Sequence, residues 1–165
     1  MENEAVFDAG HLIHLSEISL IHIINLFRKV LISPEVKKEV SRYFSDLDFV
    51  SVKNLNSRSK DIVSFLISKF SLDLGEAEAI ALCLQEKVNF FLTDDLDARL
   101  VGGQYGLEVH GTLGILTRAF REGRISKKIV IEKINELYEK SSFFLTKQIV
   151  EQVIAEVENF EKRKF

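Results

Sequence analysis

Four short acidic motifs stand out along this chain: Asp8, Glu39, Glu76 with Glu78 two residues on, and the adjacent pair Asp94–Asp95. Each ends a β-prone run or lies on a helical stretch, where acids can converge on one edge of a parallel sheet. Carboxylates gathered in that way repel one another unless a hard cation neutralises them. Oxygen-only ligands select magnesium or manganese, ions that drive in-line phosphoryl chemistry. If the four motifs meet, the chemistry to expect is metal-dependent cleavage of a phosphodiester.

Each acid also has a plainer reading. Asp8 directly follows Val6-Phe7 and suits a helix N-cap, a role that does not exclude a second one. Glu39, in Ser33-Pro-Glu-Val-Lys-Lys-Glu-Val40, flanks the apolar stripe of its helix, whereas Lys37 and Lys38 face outward. Glu76 and Glu78 both fall in the first turn of the helix opened by Leu74-Gly75, where the helix dipole favours acids. Helical geometry sets Glu76 between Ile80 and Cys83, toward the buried side, and Glu78 on the polar sector with Gln85. Glu76 is therefore the preferred ligand and Glu78 the second. Side chains of Asp94 and Asp95 should diverge, so one of the two points into the site. The plainer role for that pair is an Asx-type turn capping the next helix. Thr93 can hydrogen-bond a neighbouring carboxylate or a phosphate. Asp97 is either a further acid or the partner of a surface cation.

The elements that must position these residues alternate. Strands are expected at Ala5-Val6-Phe7, Val30-Leu31-Ile32, Phe49–Val52 and Asn89–Thr93, with a weaker one at Glu108-Val109-His110. Helices are expected around Leu12–Leu26, 34–44, 57–70, 74–87, 112–122, 127–140 and 146–162. Ser33-Pro34 is a good N-cap and first-turn pair. Gly102-Gly103 and Gly111-Thr-Leu-Gly114 read as turns, since no Gly-Lys-Ser/Thr follows to make a phosphate loop. Strand–helix alternation implies an α/β fold with helices on both faces of a parallel sheet. Ligands in such folds bind beyond the carboxyl ends of the strands, where Asp8 and Asp94–Asp95 fall.

At 165 residues the chain is most simply one domain, 1–165, with a helical tail from about 126 packed on it. One cysteine, Cys83, excludes an internal disulfide and fits a reducing cytosol, so a cytoplasmic location is expected. Met1-Glu2-Asn3-Glu4 lacks the basic start of a signal peptide. Glu17, His22, Arg28 and Lys29 interrupt the apolar stretch 12–32 well short of a membrane span. The formal net charge of −3 gives no global pull on nucleic acid, so such binding would need local basic patches.

Taken together, Val6-Phe-Asp8 with Leu12-Ile13, Ile32-Ser-Pro-Glu-Val-Lys-Lys-Glu39, Gly75-Glu-Ala-Glu-Ala-Ile-Ala-Leu82 and Leu92-Thr-Asp-Asp95 resemble the PIN domain. The likeness is to the small prokaryotic PIN proteins related to VapC-type toxins. Asp97-Ala-Arg99, Tyr105-Gly-Leu-Glu-Val-His-Gly-Thr-Leu-Gly114 and Arg121-Glu-Gly-Arg-Ile125 look like one subgroup of PIN-like proteins. The resemblance implies a three-layer α/β/α fold with about five strands and a divalent-metal ribonuclease site using Mg²⁺ or Mn²⁺. By motif match, Asp8, Glu39, Glu76 and Asp94 or Asp95 would be the catalytic metal ligands. It also implies an RNA substrate, a possible antitoxin partner and a homodimer. Relatives usually carry a Thr or Ser hydroxyl after the first Asp, where this chain has Ala9-Gly10-His11, which bears on phosphate positioning.

The substrate backbone would be steered by Arg99, Arg118, Arg121, Arg124 and Lys127–Lys128. Arg118 and Arg121 share a helix face, although compensation of a helix C-terminus explains that strip equally well. Other chemistries find less support. His11 and His14 are three apart and could meet on a helix, but His22 and His110 are isolated, and no Gly-x-Ser-x-Gly elbow occurs. The alternative from another class is a PIN-like binding module with weak or no catalysis. A third reading is an interaction subunit that presents Ile149, Val153, Val157 and Phe160 to a partner; packing on its own domain is preferred.

Overall fold

A computed structural model describes residues 4–45 and 48–163. The ends of the expected domain, residues 1–3 and 164–165, lie outside the described residues. Five strands form one sheet: β1 (Glu4–Phe7), β2 (Lys29–Ile32), β3 (Val50–Val52), β4 (Phe90–Leu92) and β5 (Glu108–His110). Their order is β3-β2-β1-β4-β5 and every pairing is parallel, with Val6 opposite Leu31 on one side and Phe91 on the other. Parallel neighbours require crossovers, and here helices supply them. The chain steps outward from β1 to β3, then returns to place β4 on the other flank of β1. That reversal opens a crevice at the carboxyl ends of β1 and β4, the usual ligand position in open α/β sheets.

The three inner strands β1, β2 and β4 are short apolar runs because both of their faces are covered, whereas the edge strands β3 and β5 are more exposed. Ala5, Phe7, Val30, Ile32 and Leu92 point into one core, with α1 (Ala9–Glu17), α2 (Pro34–Val40), α6 (Thr112–Arg121), α7 (Lys127–Lys140) and α8 (Lys147–Arg163). Val6, Leu31 and Phe91, one residue out of phase, point into the other core. There they meet α3 (Ser57–Phe70), α4 (Leu74–Glu86) and α5 (Leu96–Gln104). This is the three-layer α/β/α arrangement that the sequence implies. Among the described residues no helix is long and apolar enough to cross a membrane.

Two expectations about elements need correction. The stretch 12–26 is not one helix: α1 ends at Glu17, Ser19 takes a positive φ of 54°, and a 3₁₀ helix follows at Ile21–Leu26. Gly102 and Gly103 are not a turn but lie inside α5, and Gly111-Thr-Leu-Gly114 is no turn either, Gly111 being the N-cap and the next three residues the start of α6. A Cβ on Gly102 would stand 3.0 Å from the Phe91 ring and 3.1 Å from Val109, so the missing side chain lets α5 sit flat against β4 and β5. Val130, Ile134, Leu137, Val150 and Val157 join the same core as Phe7 and Leu12.

Candidate active site

Asp8 ends β1 and caps α1. Its Oδ1 accepts the Ala9 N–H at 2.8 Å, and its Oδ2 accepts the Thr93 hydroxyl at 2.9 Å. Thr93, the residue after β4, is fully buried, and its Oγ1 also accepts the Asp95 N–H at 3.2 Å. It therefore holds two acidic loops in register rather than reaching a substrate.

Asp73 and Glu76 form a reciprocal cap at the start of α4. Asp73 Oδ1 accepts the Glu76 N–H at 2.8 Å, and Glu76 Oε2 accepts the Asp73 N–H at 3.0 Å. This is the capping box that Asp73-Leu-Gly-Glu76 spells out, and it leaves one oxygen of each carboxylate free. Glu39 reaches in from the last turn of α2. A Cβ on Gly75 would lie 2.5 Å from Glu39 Oε1, so a side chain at that position would push the carboxylate from where it stands. Glu78, the second candidate on α4, is engaged elsewhere: its Oε2 accepts the Glu35 N–H at 3.1 Å and ties α4 to the start of α2.

The acidic pair after β4 divides as its adjacency requires. Asp95 turns forward to cap α5, with Oδ1 accepting the Ala98 N–H at 2.8 Å. Asp94 turns the other way. Its Oδ1 accepts the Thr112 N–H at 2.6 Å, and its Oδ2 takes the Thr112 hydroxyl and His14 Nδ1, the latter at 2.6 Å. Since the Thr112 proton goes to Asp94, His11 Nδ1 supplies the hydrogen of its 3.1 Å contact with the Thr112 oxygen. His14 in turn stacks on Phe143, with ring centroids 4.6 Å apart. A polar chain thus runs from His11 through Thr112 and Asp94 to His14, joining α1, α6 and the β4–α5 loop. The Nδ1 atoms of both histidines are engaged by protein partners.

Asp8, Glu39, Asp73, Glu76 and Asp95 line one cleft of about 470 Å³ at the switch point, together with Asp94 and His14. Its apolar wall is Ile13, Leu96, Phe143 and Phe144, and no lysine or arginine is among the described residues that line it. Burial, reinforced by the charge of Asp73, pushes Asp8 up to about 6 and Glu39 to about 7. Burial pushes Glu76 to about 8, against the pull of its hydrogen bond from the Asp73 N–H. Asp94 goes the other way: burial would raise it, but the donations from His14 and Thr112 prevail and hold it low. His11 is driven down to about 4 by burial and stays neutral.

Of the basic residues expected to steer a substrate, Arg99 is nearest, exposed on α5 with its guanidinium beside Gly111 and Asp94. The structure does not bring Arg118 and Arg121 to the cleft. The helix α6 starts at the acidic edge and runs away from it, which carries them about 9 and 13 Å along its axis. Arg118 there lies over the rings of Phe27 and Phe90 and pairs with Glu122. Arg42 and Lys38, beside Glu39 on α2, are closer cations.

A sequence model of the PIN-domain family matches residues 4–159. This chain belongs to the PIN-domain family. Comparisons with curated proteins and with solved structures returned no match. PIN domains are generally nucleases and typically use divalent metals. The donor chemistry of this PIN domain suits such an ion: carboxylate oxygens, partly free, gathered in a cleft that no lysine or arginine among the described residues lines. Among the described residues, however, no three His, Cys, Asp or Glu side chains already stand at ligating spacing.

Sequence reasoning missed Asp73, although its spacing to Glu76 is a capping-box signal, and it missed the Asp94–Thr112 link. Nothing local could have shown that link, because the partners are 18 residues apart and meet only once β5 pairs with β4.

Proposed function

We propose that this PIN domain is a divalent-metal-dependent ribonuclease, with Mg²⁺ or Mn²⁺ held by Asp8, Glu39, Glu76 and Asp95, and with Asp73 beside them. The observation that carries the reading is the cleft itself: six acids from four separate segments at the switch point, with no lysine or arginine among the described residues that line it. Asp95 takes the fourth position in preference to Asp94, both of whose oxygens are engaged.

A bound ion would polarise the scissile phosphate and make a water nucleophilic near neutral pH. The chain's own residues set the geometry. Thr93 orients Asp8, the capping box orients Asp73 and Glu76, and Gly75 admits Glu39. Glu39 and Glu76 hold protons near neutrality, so uptake of a cation releases them and tightens as pH rises. Arg42, Lys38 and Arg99 lie at the rim, where the flanking phosphates of a strand would pass.

The runner-up is a PIN-like module that binds nucleic acid or protein with little catalysis. Ala9 favours it, because no hydroxyl follows Asp8 to position a phosphate, and so does the diversion of Asp94 to His14 and Thr112.

The deciding assay is cleavage of RNA by purified protein in Mn²⁺, Mg²⁺ or EDTA, beside Asp8→Asn. Metal-dependent cleavage that the variant loses supports the nuclease. Undiminished cleavage by the pure variant overturns the assignment. No cleavage by folded, metal-supplied wild type transfers the conclusion to the binding module.

A further inference from the structure

The turn between α7 and α8 contributes something to the cleft that the acids do not. Ser142 is fixed there by Glu17, at the end of α1: the Glu17 carboxylate accepts the Ser142 N–H at 2.9 Å and its hydroxyl at 2.7 Å. Phe143 is fixed by its stack on His14, with ring planes only 19° apart. The next residue, Phe144, is held between these anchors and the buried Leu145, yet it is 88% exposed and lines the acidic cleft. Leu96, 73% exposed beside Asp95, lines the same cleft. A large aromatic held out in water on a pinned turn forfeits its burial, and together with Leu96 it gives the acidic cleft an apolar contact for a ligand.

The charge of the cleft says which kind. With carboxylates and, among the described residues, no lysine or arginine lining it, the cleft itself repels a phosphate backbone except where a cation intervenes. Inside the cleft, affinity for a strand is then best supplied by a contact indifferent to charge, and base–aromatic stacking is such a contact. A duplex keeps its bases stacked on one another, whereas single-stranded loops and ends can offer a free face.

We propose that Phe144 is a stacking platform for an unpaired nucleobase of the strand whose phosphate lies at the carboxylates. This rests on the nuclease reading and narrows its substrate to single-stranded segments. The anchoring by Glu17 and His14 means that little ordering is needed on binding. Phe144 acts through substrate binding, so its loss shows in KM rather than kcat.

The chain contains no tryptophan, so Phe144→Trp gives a fluorophore that reports stacking directly. With Asp8 intact and Mg²⁺ present, a single-stranded oligonucleotide made non-cleavable by 2′-O-methylation should quench it saturably. The same strand made abasic, or paired into a blunt duplex, should bind at least about tenfold more weakly. Phe65→Trp, on the distant helix α3, should not respond. In otherwise wild-type protein, Phe144→Ala should raise KM for single-stranded RNA about tenfold with kcat within about twofold, and Phe144→Trp should restore it. Absent quenching, or equal quenching by the abasic strand, overturns the platform while cleavage by the wild type still stands. Quenching by the single strand without any cleavage upholds the platform and overturns the nuclease.

Discussion

Replacing Asp8 by Asn should make the metal-free protein more stable at pH 8 and less stable at pH 4. Asp8 is 7% exposed, and burial raises it from 3.8 to about 6. The native state therefore binds its proton more tightly than the unfolded chain does between those values. Stability falls as pH rises through that window and stays low above it. At about 1.4 kcal/mol per pH unit, the ionised carboxylate weakens the fold by ~3 kcal/mol at pH 8. Asn removes that term and keeps an acceptor for the Ala9 N–H. It cannot accept the Thr93 hydroxyl through its amide nitrogen, a loss of ~1 kcal/mol. The net gain at pH 8 is then ~2 kcal/mol, or about 4–8 °C in Tm for a chain of this length. Near pH 4 the charge term has shrunk below the lost hydrogen bond, and the sign reverses. Urea denaturation in EDTA at the two pH values measures both. Mn²⁺ added at pH 8 should raise the wild type toward the variant and leave the variant where it is. Destabilisation of the variant by the same amount at both pH values would refute the reasoning, because Asp8 would then act as a cap and not as a confined charge.

Two other substitutions separate the cleft from its surroundings. Gly75→Ala drives a Cβ to 2.5 Å from Glu39 Oε1. It should lower Mn²⁺-dependent cleavage about 10- to 100-fold by turning that carboxylate out, with the circular-dichroism melt little changed. Arg118→Ala should leave kcat/KM within about twofold and lower stability by ~1 kcal/mol, since Arg118 lies over Phe27 and Phe90 at the far edge. A tenfold loss of cleavage would instead route the substrate past that edge.

What could be read in the sequence was whatever local chemistry determines. Ser33-Pro34 opens α2 with the Ser33 Oγ accepting the Val36 N–H at 3.2 Å, and 57–70 forms a helix over those very residues. The inner strands β1, β2 and β4 follow from short apolar runs that need cover on both faces. What could not be read depends on contacts between distant segments. Gly102-Gly103 looks like a turn until Phe91 and Val109 are seen to need the space. Asp94 and Asp95 are interchangeable as neighbours, and His14, 80 residues away, distinguishes them. Arg118 and Arg121 do share a helix face, but only the parallel topology shows that α6 carries this face away from the acids.

The cleft gathers like charges in a way the fold can tolerate. Asp8, Asp73 with Glu76, and Asp95 stand at the N-termini of α1, α4 and α5, where backbone N–H groups and the positive helix ends favour carboxylates. Each of those acids is a cap first, and its local hydrogen bonds would place it there with or without a function. Glu39 has no such reason. It lies in the last turn of α2, at the unfavourable end of a helix for an acid, and it enters the cleft at the point where residue 75 lacks a side chain. A position that local structure disfavours and a second residue must accommodate is better explained by a shared ligand than by folding. Glu39 is thus the acid whose placement argues most strongly for a cation in this cleft, and the capping acids, taken alone, argue least.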